Sequence, residues 1–149
     1  MMLSDNFSLA EMIRSDAATR LGISNTPDDA QIDNLRRLAV EILEPLRAAI
    51  GKPIRITSGL RVPVLNTIIG GVSNSDHCLG RAADIQVDGM SAKSVCEAVR
   101  SLDLPYKQVI HEFGAWCHVS IGYPAEAPKR ECLTAIKVAG KTVYEKGIV

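Results

Sequence analysis

The 149-residue sequence lacks the features of several protein classes. Lys plus Arg and Asp plus Glu number 17 each, so no net charge draws the whole molecule to nucleic acid or to an anionic membrane surface. No apolar run approaches the roughly 20 residues that cross a bilayer, and the first residues lack the basic and hydrophobic regions of a signal peptide. We therefore expect synthesis in the cytoplasm, no membrane insertion and no nucleic-acid partner.

The cysteines form no Cys-x-x-Cys pair, which argues against a zinc ribbon and a redox motif. The four of them are Cys78, Cys96, Cys117 and Cys132, and we expect reduced thiols. Repeats, low-complexity tracts and linkers are absent as well. Because 46% of the residues are hydrophobic and 23% are charged, we expect one domain over 1–149 with an ordinary core.

The N-terminal third has the signals of helices. Ser8 and Glu11 form a capping box that opens a short helix, and a second turn over 17–21 ends at Gly22. Thr26 as N-cap and Pro27 at the first helical position predict a long third helix that ends at Gly51.

Two further signals lie in that third helix. Its apolar stripe at spacings of three and four residues consists of Ile32, Leu35, Leu38, Ala39, Ile42, Leu46 and Ala49. Pro45 interrupts the pattern and predicts a kink near Glu41, because proline has no amide hydrogen to donate.

The remainder alternates strands with short helices. Alternating or β-branched stretches predict strands over 54–57, 82–87, 108–112 and 117–121, and a C-terminal hairpin over 131–144 that turns at 139–141. Pro63 opens a helix through Ile69, and Ser91 caps another helix. We expect an α+β fold in which N-terminal helices pack on a largely antiparallel sheet.

The most informative segment is the polar loop before the second strand. His77 lies in this loop and Asp84 at the start of the strand, and imidazole and carboxylate are both good zinc ligands. Gly80 allows the sharp turn that would bring the two groups together. A third ligand could come from His111 or His118, the other histidines of the chain.

The pattern Ser75-x-His77-x-x-Gly80-x-Ala82-x-Asp84, followed by Trp116-x-His118-x-Ser120, resembles the D-alanyl-D-alanine carboxypeptidase and Hedgehog-like zinc peptidase family. The similarity is greatest to the phage and bacterial branch that acts on peptidoglycan stems. It extends over nearly the whole chain, with landmarks at Phe7-Ser8-Leu9-Ala10-Glu11, Asn25-Thr26-Pro27, Leu43-Glu44-Pro45-Leu46-Arg47, Ser58-Gly59-Leu60-Arg61 and Asn66.

The resemblance implies that His77, Asp84 and His118 bind Zn²⁺. Two imidazoles and one carboxylate leave a coordination position open, which is typical of a catalytic zinc site. The resemblance also implies that Arg61 contacts substrate or the developing oxyanion. For substrate binding, the candidates in this sequence are Ser75, Asn66 and Trp116.

The general base is expected to be Glu112, with His111 as the alternative. The family carries an acidic residue in the strand before the last histidine, although several relatives place it three residues before, where this chain has Ala115. A three-residue turn over 114–116 would pair Glu112 with His118 on one face, whereas a two-residue turn over 114–115 would place His111 on that face.

The expected function is therefore hydrolysis of peptide bonds in bacterial peptidoglycan stems by a monomeric zinc metallopeptidase. The bond is either the one before a terminal D-alanine or the one between L-alanine and D-glutamate. The missing export signal suggests a phage or prophage lysis enzyme that acts at the cell wall with a holin-like delivery partner. Alternatives are a non-catalytic zinc-containing module that binds the wall and a structural part of a virion.

Overall fold

Helices make up most of the first 50 residues. The computed structural model describes all residues 1–149, and its helices and strands follow in chain order. The helices are α1 Leu9–Ile13, α2 Asp16–Leu21, α3 Asp29–Leu38, α4 Glu44–Ile50, α5 Pro63–Ile68 and α6 Ala92–Ser101. The strands are β1 Arg55–Ser58, β2 Ala82–Gln86, β3 Tyr106–Glu112, β4 Trp116–Ile121, β5 Glu131–Val138 and β6 Lys141–Lys146.

All six strands belong to one sheet with the order β1-β2-β4-β3-β5-β6. Neighbouring strands are antiparallel except β3 and β5, which run parallel. The predicted α+β fold with a largely antiparallel sheet is confirmed. No helix in the structure has both the length and the hydropathy that a membrane span requires.

The start of α3 differs from the prediction. Its N-cap is Asp28, whose side chain accepts a hydrogen bond from the amide of Gln31, and the Gln31 side-chain oxygen accepts one from the amide of Asp28. This reciprocal capping box satisfies two free amides, so the helix begins two residues later than Thr26 and Pro27 would place it.

The interruption predicted at Pro45 is present as a π-helical turn over Ala39–Leu43, between α3 and α4. Proline has no amide hydrogen, so the preceding turn cannot keep the regular spacing of helical hydrogen bonds. The turn includes Glu41, where the kink was predicted. Gly51 then ends α4 in the left-handed conformation, at φ 73°.

The helices cover one face of the sheet. Side chains alternate between the faces along a strand, and the odd-numbered positions of β4 join the main core, as Cys117 and Val119 do. These positions pack with helical residues such as Leu38 and Val95. The other face of β2, β3 and β4 is left without helical cover, and the polar side chains considered next lie there.

Candidate metal centre and cleft

Asp84 and His118 are direct neighbours across the pairing of β2 with β4. Both side chains lie on the face of the sheet that the helices leave open. Nδ1 of His118 lies 3.0 Å from Oδ1 of Asp84, and both residues are buried. Two central strands therefore hold a carboxylate and an imidazole in contact.

His77 reaches the same carboxylate from a 3₁₀ turn over Asp76–Leu79. The Ser75 hydroxyl accepts a hydrogen bond from the His77 amide at 3.2 Å, and Gly80 ends the turn at φ 73°. A Cβ atom at position 80 would press on the backbone of Gln31, so glycine serves both the turn and its close packing. The turn places Nε2 of His77 3.4 Å from Oδ1 of Asp84.

The ring orientation of His77 is set by a backbone contact. Its Nδ1 lies 2.7 Å from the carbonyl oxygen of Gly59. A carbonyl can only accept a hydrogen bond, so Nδ1 donates the proton and the Nε2 lone pair faces Asp84. An imidazole that donates to a backbone carbonyl in this way is the usual arrangement for a metal ligand.

Burial and mutual contact shift the pKa values of the three residues. Burial would raise the pKa of Asp84, but its close contacts with His118 and His77 outweigh this effect and hold the pKa below its usual range. Burial lowers the pKa of His77 and outweighs the effect of Asp84, which keeps the ring neutral. Burial acts in the same direction on His118, but there Asp84 and Glu112 prevail and raise the pKa.

The donor set fits a zinc ion. One ligand atom from each of His77, Asp84 and His118 lies within 4.8 Å of the others, so these residues could hold one metal ion. Two imidazoles and one carboxylate form a catalytic type of zinc site, which keeps a coordination position for water or substrate. A bound metal would replace the proton on His118, because ligand imidazoles must be neutral.

Glu112 lies beside this cluster. Its Oε1 is 3.8 Å from Nδ1 of His118. Burial raises the pKa of Glu112, and the charge of His118 only partly offsets this rise. A carboxyl whose pKa is raised holds a proton more readily than an exposed one, which suits Glu112 to proton transfer beside the cluster.

Both predicted registers of the β3–β4 hairpin are wrong. The turn is 113–115, and Glu112 pairs with Trp116 while Ile110 pairs with His118. Phe113 and Gly114 take left-handed φ values of 55° and 66°. The turn therefore begins one residue earlier than the predicted 114–116 turn, and the partner of Glu112 moves by two residues, from His118 to Trp116. Because a shift of two residues keeps the side-chain parity, Glu112 still shares the face of His118.

His111 lies on the opposite face of the sheet from the cluster. It pairs with Cys117, which is in the helix-covered core, and its Nδ1 is 3.1 Å from the backbone oxygen of Val149. Its side chain therefore faces away from Asp84 and His118.

Residues 5–120 match the Peptidase M15 family. The chain belongs to this family. It is also 37% identical over 60 residues to a protein named zinc D-Ala-D-Ala carboxypeptidase from Streptomyces albus G, and the aligned part covers 40% of this chain. The match spans only 24% of the length of that relative. The resemblance stated from the sequence is confirmed at the level of the family.

A cleft of about 710 Å³ adjoins the cluster in this member of the M15 family. Arg61, Ser75 and Trp116 line it together with the cluster, as does Glu112. Nε of Arg61 is buried and has no hydrogen-bond partner within the protein. Trp116 meets Phe113 edge to face, with the ring centroids 5.8 Å apart.

Asn66, like His111, does not line the cleft. It is 1% exposed, and its Nδ2 donates to the carbonyl of Val72 at 2.7 Å. This contact ties α5 to the loop that leads to Ser75. The geometry of Asn66 therefore favours support of the loop backbone over the predicted contact with substrate.

A group of three charged side chains at the edge of the cleft was not predicted from the sequence. Asp76 lies 2.9 Å from both Arg81 Nη2 and Lys107 Nζ, and the Arg81 guanidinium lies 3.9 Å from the ring centroid of Tyr123. Asp76 and Arg81 flank His77, but their partners Lys107 and Tyr123 lie far away in the sequence, in β3 and just after β4. No local signal points to that pairing.

The C-terminal hairpin also contributes to the cleft. Lys137, Thr142 and Tyr144 line it, and all three lie beyond the 5–120 segment that matches the M15 family. Burial, and to a lesser extent the charge of Glu112, raises the pKa of Tyr144, so its hydroxyl stays protonated. The sequence predicted the hairpin but not its position next to β3.

Proposed function

We propose that this M15 protein is a zinc-dependent peptidase that hydrolyses peptide bonds of bacterial peptidoglycan stems. The observation that carries the proposal is the meeting of His77, Asp84 and His118 at one point, with the carboxyl of Glu112 beside them. Membership of a peptidase family supports the same reaction class. His77, Asp84 and His118 are the proposed metal ligands.

A bound zinc ion would supply Lewis acidity, polarising the scissile carbonyl and lowering the pKa of a water molecule. Glu112 accepts the proton of the attacking water and then delivers it to the departing amine. Its burial suits both steps, because the raised pKa brings its two protonation states closer in free energy. The protein also encloses most of the Glu112 side chain, which keeps solvent from competing for the proton that Glu112 transfers.

Arg61 stabilises the negative charge that develops on the carbonyl oxygen. It lines the cleft next to His77, and its amide donates to the His77 carbonyl at 3.0 Å, which couples the two positions. A guanidinium offers several fixed donors to an oxyanion in a sheltered cleft. Ser75 supports His77 from the other side through the turn that it caps.

The proposed substrate class is supported by the relative, which is named for D-Ala-D-Ala carboxypeptidase activity. We propose a peptidoglycan stem as substrate and keep two bonds as candidates, the one before the terminal D-alanine and the one between L-alanine and D-glutamate. The same metal centre and general base serve either hydrolysis, since both bonds are amides.

The test is digestion of a defined muropeptide, with the products identified by mass spectrometry. We expect loss of a terminal alanine or release of an alanine-bearing fragment, abolished by a chelator and restored by Zn²⁺. Binding of purified peptidoglycan without any cleavage would instead support a non-catalytic wall-binding module or a virion component.

We further propose that the enzyme acts in lysis of a bacterial host and reaches the wall through a membrane opening made by a holin-like partner. The support is the resemblance to the phage and bacterial branch of the family. Expression of the chain alone in the cytoplasm should leave cells intact, while expression with a holin should lyse them. Lysis without any permeabilising partner would contradict the delivery step.

We also propose that residues 1–149 act as one zinc peptidase domain and as a monomer. One continuous sheet and one main core support the first part. Light scattering of the purified protein should then give a mass near 16.1 kDa. A mass of twice that value at micromolar concentration would contradict the second part.

A further inference from the structure

The C-terminal hairpin extends the catalytic face of the sheet. β5 pairs with β3 and β6 pairs with β5, which gives a cross-strand row of Trp116, Glu112, Ala135 and Tyr144. Paired residues point to the same face of a sheet. Ala135 is fully buried and small, so it leaves space over β5 for the larger groups on both sides. The hairpin therefore forms a wall of the cleft next to Glu112.

Lys137 lies two residues after Ala135 and so projects from the same face. It pairs with Thr142, and its Nζ donates to the Thr142 hydroxyl at 2.9 Å. The ammonium also lies 5.2 Å from the ring centroid of Phe113, within the range of a cation–π contact. Two contacts thus hold the cation at the rim of the cleft.

The charge of Lys137 has no partner in the protein. Lys107, another lysine of the cleft, is neutralised by Asp76 at 2.9 Å, whereas Lys137 takes part in no ion pair. An ammonium group has three donors, and Thr142 uses one of them. A positioned cation with free donors at the rim of a cleft is suited to bind an anionic group of a ligand.

We propose that Lys137 binds a carboxylate of the substrate and makes the C-terminal hairpin a specificity element. This inference rests on the proposed function, because a peptidoglycan stem carries carboxylates that hydrolysis does not consume. Two sources offer the same chemistry, the α-carboxylate of the γ-linked D-glutamate and the carboxylate at the C-terminus of the stem. The contact exists before the reaction starts, so it contributes to substrate affinity and leaves the rate of the bound complex unchanged.

The test measures binding separately from catalysis. The metal-free protein is titrated with a synthetic stem pentapeptide by isothermal calorimetry. Fluorescence gives a second readout, because Trp116 is the only tryptophan of the chain and lines the cleft. Three peptides are compared: the free acid, the form amidated at D-glutamate and the form amidated at the C-terminus.

The chain offers a matched control for Lys137→Met. Lys141 is an exposed lysine of the same hairpin, and its pairing with Val138 places it on the opposite face. Lys137→Met should weaken binding of the free acid about tenfold, the loss expected for one charge-assisted hydrogen bond. Lys141→Met should bind as the wild type does, and Lys137→Arg should restore most of the affinity.

The amidated peptides identify the source of the carboxylate. The peptide that lacks the relevant carboxylate should bind the wild type about tenfold more weakly and should show no further loss with Lys137→Met. With the zinc-loaded enzyme, KM should rise by the same factor while kcat stays constant. Equal loss for all three peptides, equal effects of the two lysine variants, or no binding by the wild type would overturn the inference.

Failure of the proposed function has a different signature. If the wild type cleaves stems and the lysine variants behave alike, the peptidase assignment stands and the role of Lys137 is wrong. If the zinc-loaded wild type cleaves none of the peptides, the proposed function is wrong and the inference falls with it.

Discussion

The carbonyl oxygen of Gly59 lies 2.7 Å from Nδ1 of His77 and thereby orients a proposed metal ligand. Gly59 follows β1 directly, and its neighbour Leu60 donates its amide to the carbonyl of Met12 in α1. The approach is so close that a Cβ atom at position 59 would run into the same Met12 carbonyl. The N-terminal helix, the end of β1 and the metal site are thus linked through one glycine.

Gly59→Ala should therefore weaken both the fold and the metal site. Relief of the clash must move position 59 away from Met12 and shift the carbonyl that holds His77. We expect the free energy of unfolding to fall by about 1–3 kcal/mol, as in other overpacked sites. Zinc affinity should fall about 10–100-fold, the range for loss of a partner that orients a ligand.

The control for this prediction is Gly22→Ala. Gly22 has φ 67° and no atom near its missing Cβ, so alanine there costs only the left-handed strain, about 1–2 kcal/mol. Competition with a chelator measures zinc affinity, and urea unfolding measures stability. Equal loss of zinc affinity in the two variants would show that the Gly59 carbonyl has no specific role.

Asp84→Asn should remove the metal with little change in side-chain volume. Asp84 contacts both imidazoles, and an amide oxygen lacks the charge that zinc prefers. We expect affinity to fall by more than about 100-fold, since even an outer partner of a ligand contributes 10–100-fold. Zinc should raise the unfolding temperature of the wild type, because it binds the folded state, and should leave that of Asp84→Asn unchanged.

Asp88→Asn is the matched control, because Asp88 is an exposed carboxylate that pairs with Arg55 away from the cleft. It should bind zinc as the wild type does. Full metal occupancy of Asp84→Asn by elemental analysis would contradict the ligand assignment.

Glu112→Gln should separate catalysis from metal binding. The amide keeps the size of the side chain but cannot accept the proton, so we expect kcat to fall about 10²–10⁴-fold. Metal content should stay at the wild-type level, because Glu112 is not among the three proposed ligands. Rates on a muropeptide, together with zinc analysis of the same sample, check both points.

Glu145→Gln and His111→Gln complete the Glu112 experiment. Glu145 pairs with Thr134 on the opposite face of the hairpin and should have no effect on kcat. His111 also faces away from the cluster, so its replacement should leave kcat within a few-fold of the wild type. Activity of Glu112→Gln equal to the wild type would assign the base elsewhere.

Asp76→Ala should destabilise the protein strongly. Asp76 is the anionic partner of Arg81 and Lys107, and the Arg81 side chain is only 5% exposed. Removal of one partner leaves a buried charge without compensation, which costs about 3–5 kcal/mol. Asp33→Ala, which breaks an exposed pair with Arg36, should cost less than about 1 kcal/mol. Urea unfolding measures the free energy of unfolding of both variants. Similar small losses of stability would show that Asp76 and its two cationic partners are well solvated.

Elements with local signals were predictable. The capping box of α1, the glycines that end α2 and α4, and the alternating strands depend on neighbouring residues alone, so most elements were predicted within a few residues. The start of α3 was misplaced because Thr26 and Asp28 are both good N-caps, and only the contact with Gln31 selects between them. The β3–β4 turn was misplaced because Phe113, a residue without a turn preference, adopts a positive φ.

The sequence by itself determined the residue types of this protein, with His77, Asp84 and His118 in a recognisable spacing, and the elements that carry them. Only the tertiary structure decided which groups meet. Strand register places Glu112 beside His118 and directs His111 to the other face of the sheet. The parallel pairing of β3 with β5 brings Lys137 to the cleft. Those pairings join residues far apart in the chain, and their energies come from the packing of the whole sheet, so no local pattern contains them.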